Sequence, residues 1–170
     1  MGNKLTARII KSSEADKKAV GMFQVVEAAA LLIMKKDRIL AVYNEKWGAF
    51  TLPMSKVRPW EEIGGDPKKR NLSTGREAAV RSAAEWLGRT IVDPVVPLMI
   101  CGEFLQGERD GQWKRYNVWV YKLAVADDVC PRQGAITEWL KADDFLDDKR
   151  DPISPTARHV IAELQIRGKL

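Results

Sequence analysis

The sequence predicts an α/β sandwich in which helices cover a mixed sheet. Three observations lead to this prediction: an early pair of apolar extended segments, one well-defined helix in the middle of the chain, and later strands followed by a last helix. Strands and helices with apolar faces bury them against one another as layers. The chain has 170 residues, which fits a single domain core.

The opening strands are predicted over residues 25–43. Val25 to Met34 form a dense apolar run, Lys36-Asp37 form a turn, and the chain continues in extended form to Tyr43. A third extended piece over 50–53 ends at a proline. Residues 1–22 are polar and weakly patterned, so we expect a tail or a short helix there, followed by the folded domain over residues 23–170.

A central helix is predicted from about Gly75 to Leu87. Thr74 to Glu77 have the S/T-x-x-E form of a capping box, and Gly88 supplies a C-terminal stop. Helical spacing predicts a buried apolar face made of Ala79, Val80, Ala83, Ala84 and Leu87. The same spacing places a second stripe opposite that face, made of Arg81, Ser82, Glu85 and Trp86.

The C-terminal half is predicted to hold three strands and two helical segments. The strands span about 95–105, 116–125 and 136–140, and a polar loop over 107–111 joins the first two. One helical turn follows at 142–145. Ser154 or Thr156 can cap a last helix, whose buried face is formed by Ala157, Val160, Ile161 and Leu164.

Two segments together resemble the Nudix box, whose pattern is G-x5-E-x7-R-E-U-x-E-E-x-G-U with U aliphatic. The loop over 52–61 is similar to the opening of the box, and the helix from Glu77 to Gly88 is similar to its end. The strand that carries Trp139, with the helical turn after it, resembles a late part of the same family. The resemblance covers about residues 24–166 and implies a Nudix-type α/β/α sandwich with a mixed sheet.

The box differs from the family pattern at the positions that carry the chemistry. Ser55 stands where the first glycine belongs, and Glu61 follows at the usual spacing. Nineteen residues instead of seven separate Glu61 from Arg81, which is an insertion of twelve around residues 62–73. Ser82 and Trp86 stand at the places of two box glutamates. Arg81, Glu85 and Gly88 remain in register.

The resemblance implies hydrolysis of a pyrophosphate bond in a nucleoside diphosphate derivative, with Mg²⁺ or Mn²⁺ held by carboxylates. Glu85 is the one ligand that the helix keeps, so we expect it to hold the metal and, with Glu61, to serve catalysis. Other carboxylates are alternatives for the missing ligands: Glu62, Asp66, Glu103, Glu108 and Asp110. A serine hydroxyl is a poor ligand for Mg²⁺ and an indole is none.

Four further residues are expected to contact a substrate. Lys56 follows the glycine position and can face phosphate, and Glu27 interrupts an apolar strand, which indicates a cavity beside it. Arg81 is implied to hold the loop onto the helix together with Glu61. Trp86 either fills the vacated metal pocket or stacks on a ring, as Trp47 and Trp60 beside the site can also do.

Two functions therefore stay open: a divergent Nudix hydrolase, weak or inactive, and a non-catalytic module that binds a nucleotide-like ligand or a protein partner. The net charge of +5 favours an anionic partner such as a phosphorylated small molecule. Nucleic-acid binding through Lys68-Lys69-Arg70 is a weaker alternative. Two cysteines without CxxC spacing and a single histidine predict neither a zinc site nor a nucleophilic triad.

The location and assembly of the protein are expectations from composition. The polar start of the chain has no apolar leader, and the longest apolar run, over 28–34, is much shorter than a membrane span. We therefore expect a cytoplasmic protein with no membrane partner. A homodimer is an alternative to a monomer that the sequence leaves open.

Overall fold

The computed structural model describes residues 9–10, 25–58, 75–107, 113–150 and 152–170, without the side chains at 9, 10, 25, 102–107 and 113. The strands are β1 (Ile9–Ile10), β2 (Val25–Lys35), β3 (Arg38–Asn44), β4 (Ala49–Thr51), β5 (Met54–Lys56), β6 (Val96–Gly107), β7 (Trp113–Ala124) and β8 (Thr137–Leu140). The helices are α1 (Arg76–Leu87), α2 (Ala142–Leu146) and α3 (Pro155–Ile166).

The strands form one mixed sheet in the order β1-β6-β7-β2-β3-β4, in which β5 also pairs with β2 and β8 with β3. Strand β2 runs parallel to β7 and antiparallel to β3 and β5. Helix α1 packs on one face of this sheet and α3 on the other. The predicted α/β/α sandwich with a mixed sheet is confirmed.

Strand β2 is apolar from Ala28 to Met34 because both of its faces are covered there. Ala29, Leu31 and Ile33 pack in the cluster that contains the buried side chains of α1. Ala30 and Leu32 pack in the opposite cluster, together with α3. A strand that is buried on both sides reads as a continuous apolar run rather than as an alternation.

Helix α1 begins one residue later than predicted and starts differently. Its N-cap is Gly75, in the left-handed region with φ 86°, and no side chain of the described residues caps the helix. The predicted capping box required Thr74 at the N-cap, so that prediction is wrong; Thr74 itself lies outside the described residues. A Cβ on Gly75 would lie 3.3 Å from Val57 Cγ2 and 3.4 Å from Ala29 Cβ, so the chain turns into the helix where only glycine fits closely.

The predicted cap of the last helix is confirmed. Ser154 is the N-cap of α3, and its hydroxyl accepts a hydrogen bond of 3.1 Å from the backbone N–H of Ala157. The same hydroxyl donates to Thr51 Oγ1 at 2.9 Å. Both side chains are buried. This contact therefore fixes α3 to strand β4, and it uses a serine that sequence reasoning could identify only as a cap.

The start of the chain contributes at least one strand. Ile9 and Ile10 pair with Leu105 and Gln106 of β6 in an antiparallel register. The rest of the segment 1–22, for which a tail or a short helix was expected, lies outside the described residues. Among the residues that are described, no helix has the length and apolarity needed to cross a membrane.

Candidate functional site

Arg81 fixes the strand β5 to the helix α1. Its guanidinium donates from Nη2 to Ser55 Oγ at 3.2 Å and to the backbone carbonyl of Lys56 at 3.0 Å. The box arginine therefore holds the preceding segment onto the helix, which agrees with the role that the resemblance implied. Its expected partner Glu61 lies outside the described residues. Lys56 ends β5 with an exposed side chain.

Ser82 lies in the interface between α1 and the sheet. Its side chain is 1% exposed, and its Oγ has no hydrogen-bond partner within the part of the chain that the structure describes. The fully buried side chains around it on the helix are Ala78, Ala79 and Ala83. Small residues at these positions let the helix approach the sheet closely, and a hydroxyl fits there where a glutamate would need far more room.

The stripe predicted for α1 is therefore partly wrong. Ser82 belongs to the buried face, while Val80 and Ala84, which were predicted to be buried, are half-buried, and Val80 still packs against the core. Helical spacing identified two opposite faces correctly but placed their boundary about one residue off. The sheet selects the face with the smallest side chains, because only these allow a close approach.

Glu85 has an exposed side chain on α1. No group of three or more His, Cys, Asp or Glu side chains in the described residues could hold a metal ion. Mg²⁺ is a hard cation that prefers several oxygen ligands in a nearly octahedral arrangement. A buried serine, an exposed glutamate and an indole on one helix do not supply such a set, so these residues do not fit the metal that the resemblance implies.

Trp86 lines a cleft between α1 and the β3–β4 hairpin. The cleft has a volume of about 400 Å³. Its wall includes Tyr43, Lys46, Trp47, Met54 and Trp86. Two of the three tryptophans that the sequence placed near the site therefore face the same cavity; the third, at position 60, lies outside the described residues.

The turn that carries Trp47 is fixed by local hydrogen bonds. The backbone N–H of Trp47 donates to Asn44 Oδ1 at 3.2 Å, and that of Gly48 donates to the Asn44 carbonyl at 2.8 Å. Tyr43 is held beside the turn by an edge-to-face contact with Phe50, with ring centroids 5.3 Å apart. These contacts position one aromatic wall of the cleft before any ligand binds.

Arg132 contacts Trp86, one of the residues that line the cleft, and was not predicted from the sequence. Its guanidinium lies 5.1 Å from the centroid of the Trp86 ring, which is the distance of a cation–π contact. Its backbone N–H donates to the Trp86 carbonyl at 2.7 Å. Residue 132 follows β7 in a segment with no pattern, so the sequence carried no signal that it would meet the end of α1.

Glu27 lies at a different place from the cleft. It is half-buried in β2, and its carbonyl accepts a hydrogen bond of 2.9 Å from the N–H of Val57. In the parallel register it stands opposite Asn117, on the same face of the strand as Ala29. The structure therefore brings Glu27 and Lys56 to the place where β2 pairs with β5, and Trp86 to the cleft between α1 and the β3–β4 hairpin.

The remaining predicted carboxylates are not described in full. Glu61, Glu62, Asp66, Glu108 and Asp110 lie outside the described residues, and so does the basic run over 68–70. The backbone of Glu103 is part of β6, but its side chain is not described.

Comparison with solved structures identifies the fold. No protein-family model matches the chain, and no curated protein is detectably similar in sequence. The MutT NUDIX hydrolase from Burkholderia pseudomallei matches with a TM-score of 0.56 at 17% identity, over 83% of this chain and 98% of that one. The MutT protein from Methanosarcina mazei Go1 matches with a TM-score of 0.55 at 19% identity, over 89% and 99% of the two chains.

A third similar structure contains a ligand. The NUDIX domain of Shewanella oneidensis NrtR, solved in complex with ADP ribose, matches with a TM-score of 0.51 at 16% identity, over 93% of this chain and 99% of that one. At such identities the likeness establishes the fold and nothing finer. The chain has the fold of the Nudix superfamily, and the resemblance found in the sequence is confirmed at that level.

Proposed function

We propose that this protein is a Nudix-fold module that binds a nucleoside diphosphate derivative in the cleft between α1 and the β3–β4 hairpin. One observation carries the proposal: Trp86 stands at the position of a box glutamate and lines this cleft together with Trp47. The substitution removes a metal ligand and adds a flat aromatic surface to the same cavity.

The chemistry of the cleft suits a ligand with a ring and a phosphate chain. Aromatic side chains stack on any kind of nucleobase, and each such contact contributes about 1–3 kcal/mol to binding. Lys46 lies in the wall beside the carboxylate of Glu45, and the Arg132 guanidinium adds a second cation on the Trp86 ring. Cations at the edge of an aromatic cavity favour a ligand whose ring is followed by an anionic group.

Binding without hydrolysis is the function that the described residues support best. Pyrophosphate hydrolysis in this fold is expected to need metal ions that neutralise the charge around phosphorus. Ser82 is buried against the sheet, Trp86 offers no ligand atom, and Glu85 is the one carboxylate of the three helix positions. A ligand-bound Nudix domain from Shewanella oneidensis supports the class of ligand, since that protein was crystallised with ADP ribose.

Hydrolysis is the second candidate, and one observation favours it. Arg81 still fixes the segment before the insertion to α1, and Glu85 is exposed on the same helix. If carboxylates of the insertion, such as Glu61, supply the missing ligands, Mg²⁺ or Mn²⁺ would be held between Glu85 and that segment. Glu85 would then be a metal ligand, and Glu61 would share the catalytic role.

Binding is tested by thermal unfolding and calorimetry with ADP-ribose, ADP and ribose 5-phosphate, without divalent cations. A ligand at 100 times its Kd stabilises the folded state by about 2.7 kcal/mol, which is a readily measured shift in Tm. Trp86→Ala should weaken binding at least tenfold, and Trp86→Phe should keep part of it because a ring remains. Trp139→Phe serves as the matched control, since Trp139 contacts Lys35 away from the cleft.

Two outcomes would contradict the binding proposal: no ligand-dependent shift with any of these compounds, or equal loss of affinity in the Trp86→Ala and Trp139→Phe variants. Catalysis is tested separately by phosphate release from the same compounds with Mg²⁺ or Mn²⁺. Release that disappears in Glu85→Gln would establish the hydrolase instead. If the parent protein and the Glu85→Gln variant release phosphate at the same rate, Glu85 has no catalytic role.

A further inference from the structure

A groove runs along the exposed flank of α1, beside the core cluster against which Val80 and Ile91 pack. Val80, Ala84 and Ile91 form its apolar part, and its volume is about 490 Å³. Val80 and Ala84 are spaced four residues apart, so they lie above one another on the helix. This groove shares no lining residue with the cleft that contains Trp86.

The charged part of the groove is strongly basic. Arg58, Arg76 and Arg81 line it, against the single carboxylate of Glu77, so its formal charge is positive. Arg76 is held in place by a bond of 2.9 Å from Nη1 to the carbonyl of Val95. A guanidinium carries five N–H donors, so a bond that fixes its position leaves others to face a ligand.

Apolar surface continues beyond the groove. Ile91 is half-buried in it, and the next residue, Val92, is 84% exposed. A single exposed valine needs no explanation, but here it borders an apolar floor that is edged by arginines. Arginine beside apolar side chains is typical of protein interfaces.

Charge complementarity decides which occupant fits. A second copy of this chain would bring a net charge of +5 towards three arginines, and like charges in contact weaken association. Nucleic acid would meet the arginines but would leave Val80, Ala84 and Ile91 without apolar partners. An acidic protein segment with apolar side chains satisfies both parts of the groove.

We propose that the groove along α1 docks an acidic, apolar segment of a partner protein, with carboxylates on the arginines and aliphatic side chains on Val80, Ala84 and Ile91. The site is independent of ligand binding in the cleft. It would give this fold a protein-interaction function along the exposed flank of α1.

Fluorescence anisotropy of the full chain with labelled synthetic peptides tests the proposal. The probe is a 12-residue peptide that has Leu at helical spacing and Glu at positions between the leucines. A second peptide of equal charge has Ser in place of Leu. Arg58→Glu, which reverses one charge of the groove, and Ala84→Glu, which fills its apolar part, should each weaken binding of the first peptide at least tenfold. Lys169→Glu is the matched control, because Lys169 is an exposed cation after α3, in the opposite layer.

The proposal predicts saturable binding of the Leu peptide, much weaker binding of the Ser peptide, and no change when ADP-ribose is present. Absence of binding overturns it, and so does equal binding of both peptides, which would indicate charge alone. Equal loss in Lys169→Glu would indicate a nonspecific effect of net charge. Tighter binding of a single-stranded oligonucleotide of the same charge would assign the groove to nucleic acid. Far-UV circular dichroism verifies that each variant is folded.

Discussion

Gly75 is the residue at which packing and backbone conformation can be separated by experiment. It turns the chain into α1 with φ 86°, and a Cβ at this position would lie 3.3 Å from Val57 Cγ2, 3.4 Å from Ala29 Cβ and 3.5 Å from the Tyr121 hydroxyl. Gly134 has nearly the same φ, 83°, but a Cβ there would meet nothing within 4 Å. Alanine at either position therefore carries the same backbone penalty, and only at Gly75 does it also carry a steric one.

The expected magnitudes follow from these two terms. A left-handed conformation costs an alanine about 1–2 kcal/mol. Alanine also lowers the conformational entropy of the unfolded chain, which offsets roughly 0.4–1 kcal/mol of this cost. Gly134→Ala should thus lower the free energy of unfolding by about 0.5–1 kcal/mol. The approach of 3.3 Å to Val57 Cγ2 places the overpacking cost at its low end, about 1 kcal/mol, so Gly75→Ala should lower the free energy of unfolding by roughly 1.5–2 kcal/mol.

Urea unfolding followed by circular dichroism measures both variants beside the parent protein. In a chain of this length, 1 kcal/mol corresponds to about 2–4 °C in Tm, so thermal melts of the two variants should differ in Tm by about 2–4 °C. Equal destabilisation of the two variants would refute the steric argument. A larger effect at Gly134 would refute the placement of Gly75 between β2, β5 and β7.

Three further predictions concern the rest of the fold. Ser154→Ala removes the cap of α3 and leaves Thr51 without its donor, so urea unfolding should show a loss of about 1–2 kcal/mol; Ser154→Thr should recover part of it, and full stability of the alanine variant would contradict the assigned bonds. The pKa of Asp144 is lowered in the folded protein, mainly by the hydrogen bond from the backbone N–H of Lys141. The ionised carboxylate therefore stabilises the fold above the pKa that Asp144 has in the unfolded chain. This stabilisation is lost as the pH falls through the pKa of the folded state. Asp144→Asn should therefore be less stable than the parent at neutral pH but not at strongly acidic pH, as thermal melts across pH would reveal; a gap that persists in acid would argue against this cause. Burial raises the pKa of Cys101 to about 12, so a thiol reagent should label exposed Cys130 rapidly and Cys101 only on unfolding, and equal rates in the native protein would contradict the burial.

The fold was largely predictable because apolar spacing and turn residues report local structure directly. Val25 to Met34, the turn at Lys36-Asp37 and the helix before Gly88 were located to within one or two residues. The start of α1 was not predicted correctly. A serine/threonine motif suggested a capping box, but the helix starts at Gly75, whose left-handed backbone and close neighbours favour glycine.

For the candidate site, the sequence predicted only which residues of α1 belong to it. The loss of two box carboxylates at positions 82 and 86 is visible in the sequence, because register with the motif is a one-dimensional property. The burial of Ser82 is not, since it depends on which face of the helix the sheet accepts. Arg132 is the clearest case: it lies 46 positions after Trp86 in the chain, and a backbone hydrogen bond between them forms only in the folded protein.

By itself, the sequence determined that this protein has a Nudix-type sandwich and that its helix lacks the usual set of metal ligands. Both facts follow from the identity and spacing of residues along one element. Only the tertiary structure decided that Trp86 meets Trp47 in a common cleft and that the outer face of α1 carries a basic, partly apolar groove. The reason is physical: a cavity is formed by side chains from distant segments, and their distances are set by how the layers pack rather than by any local pattern.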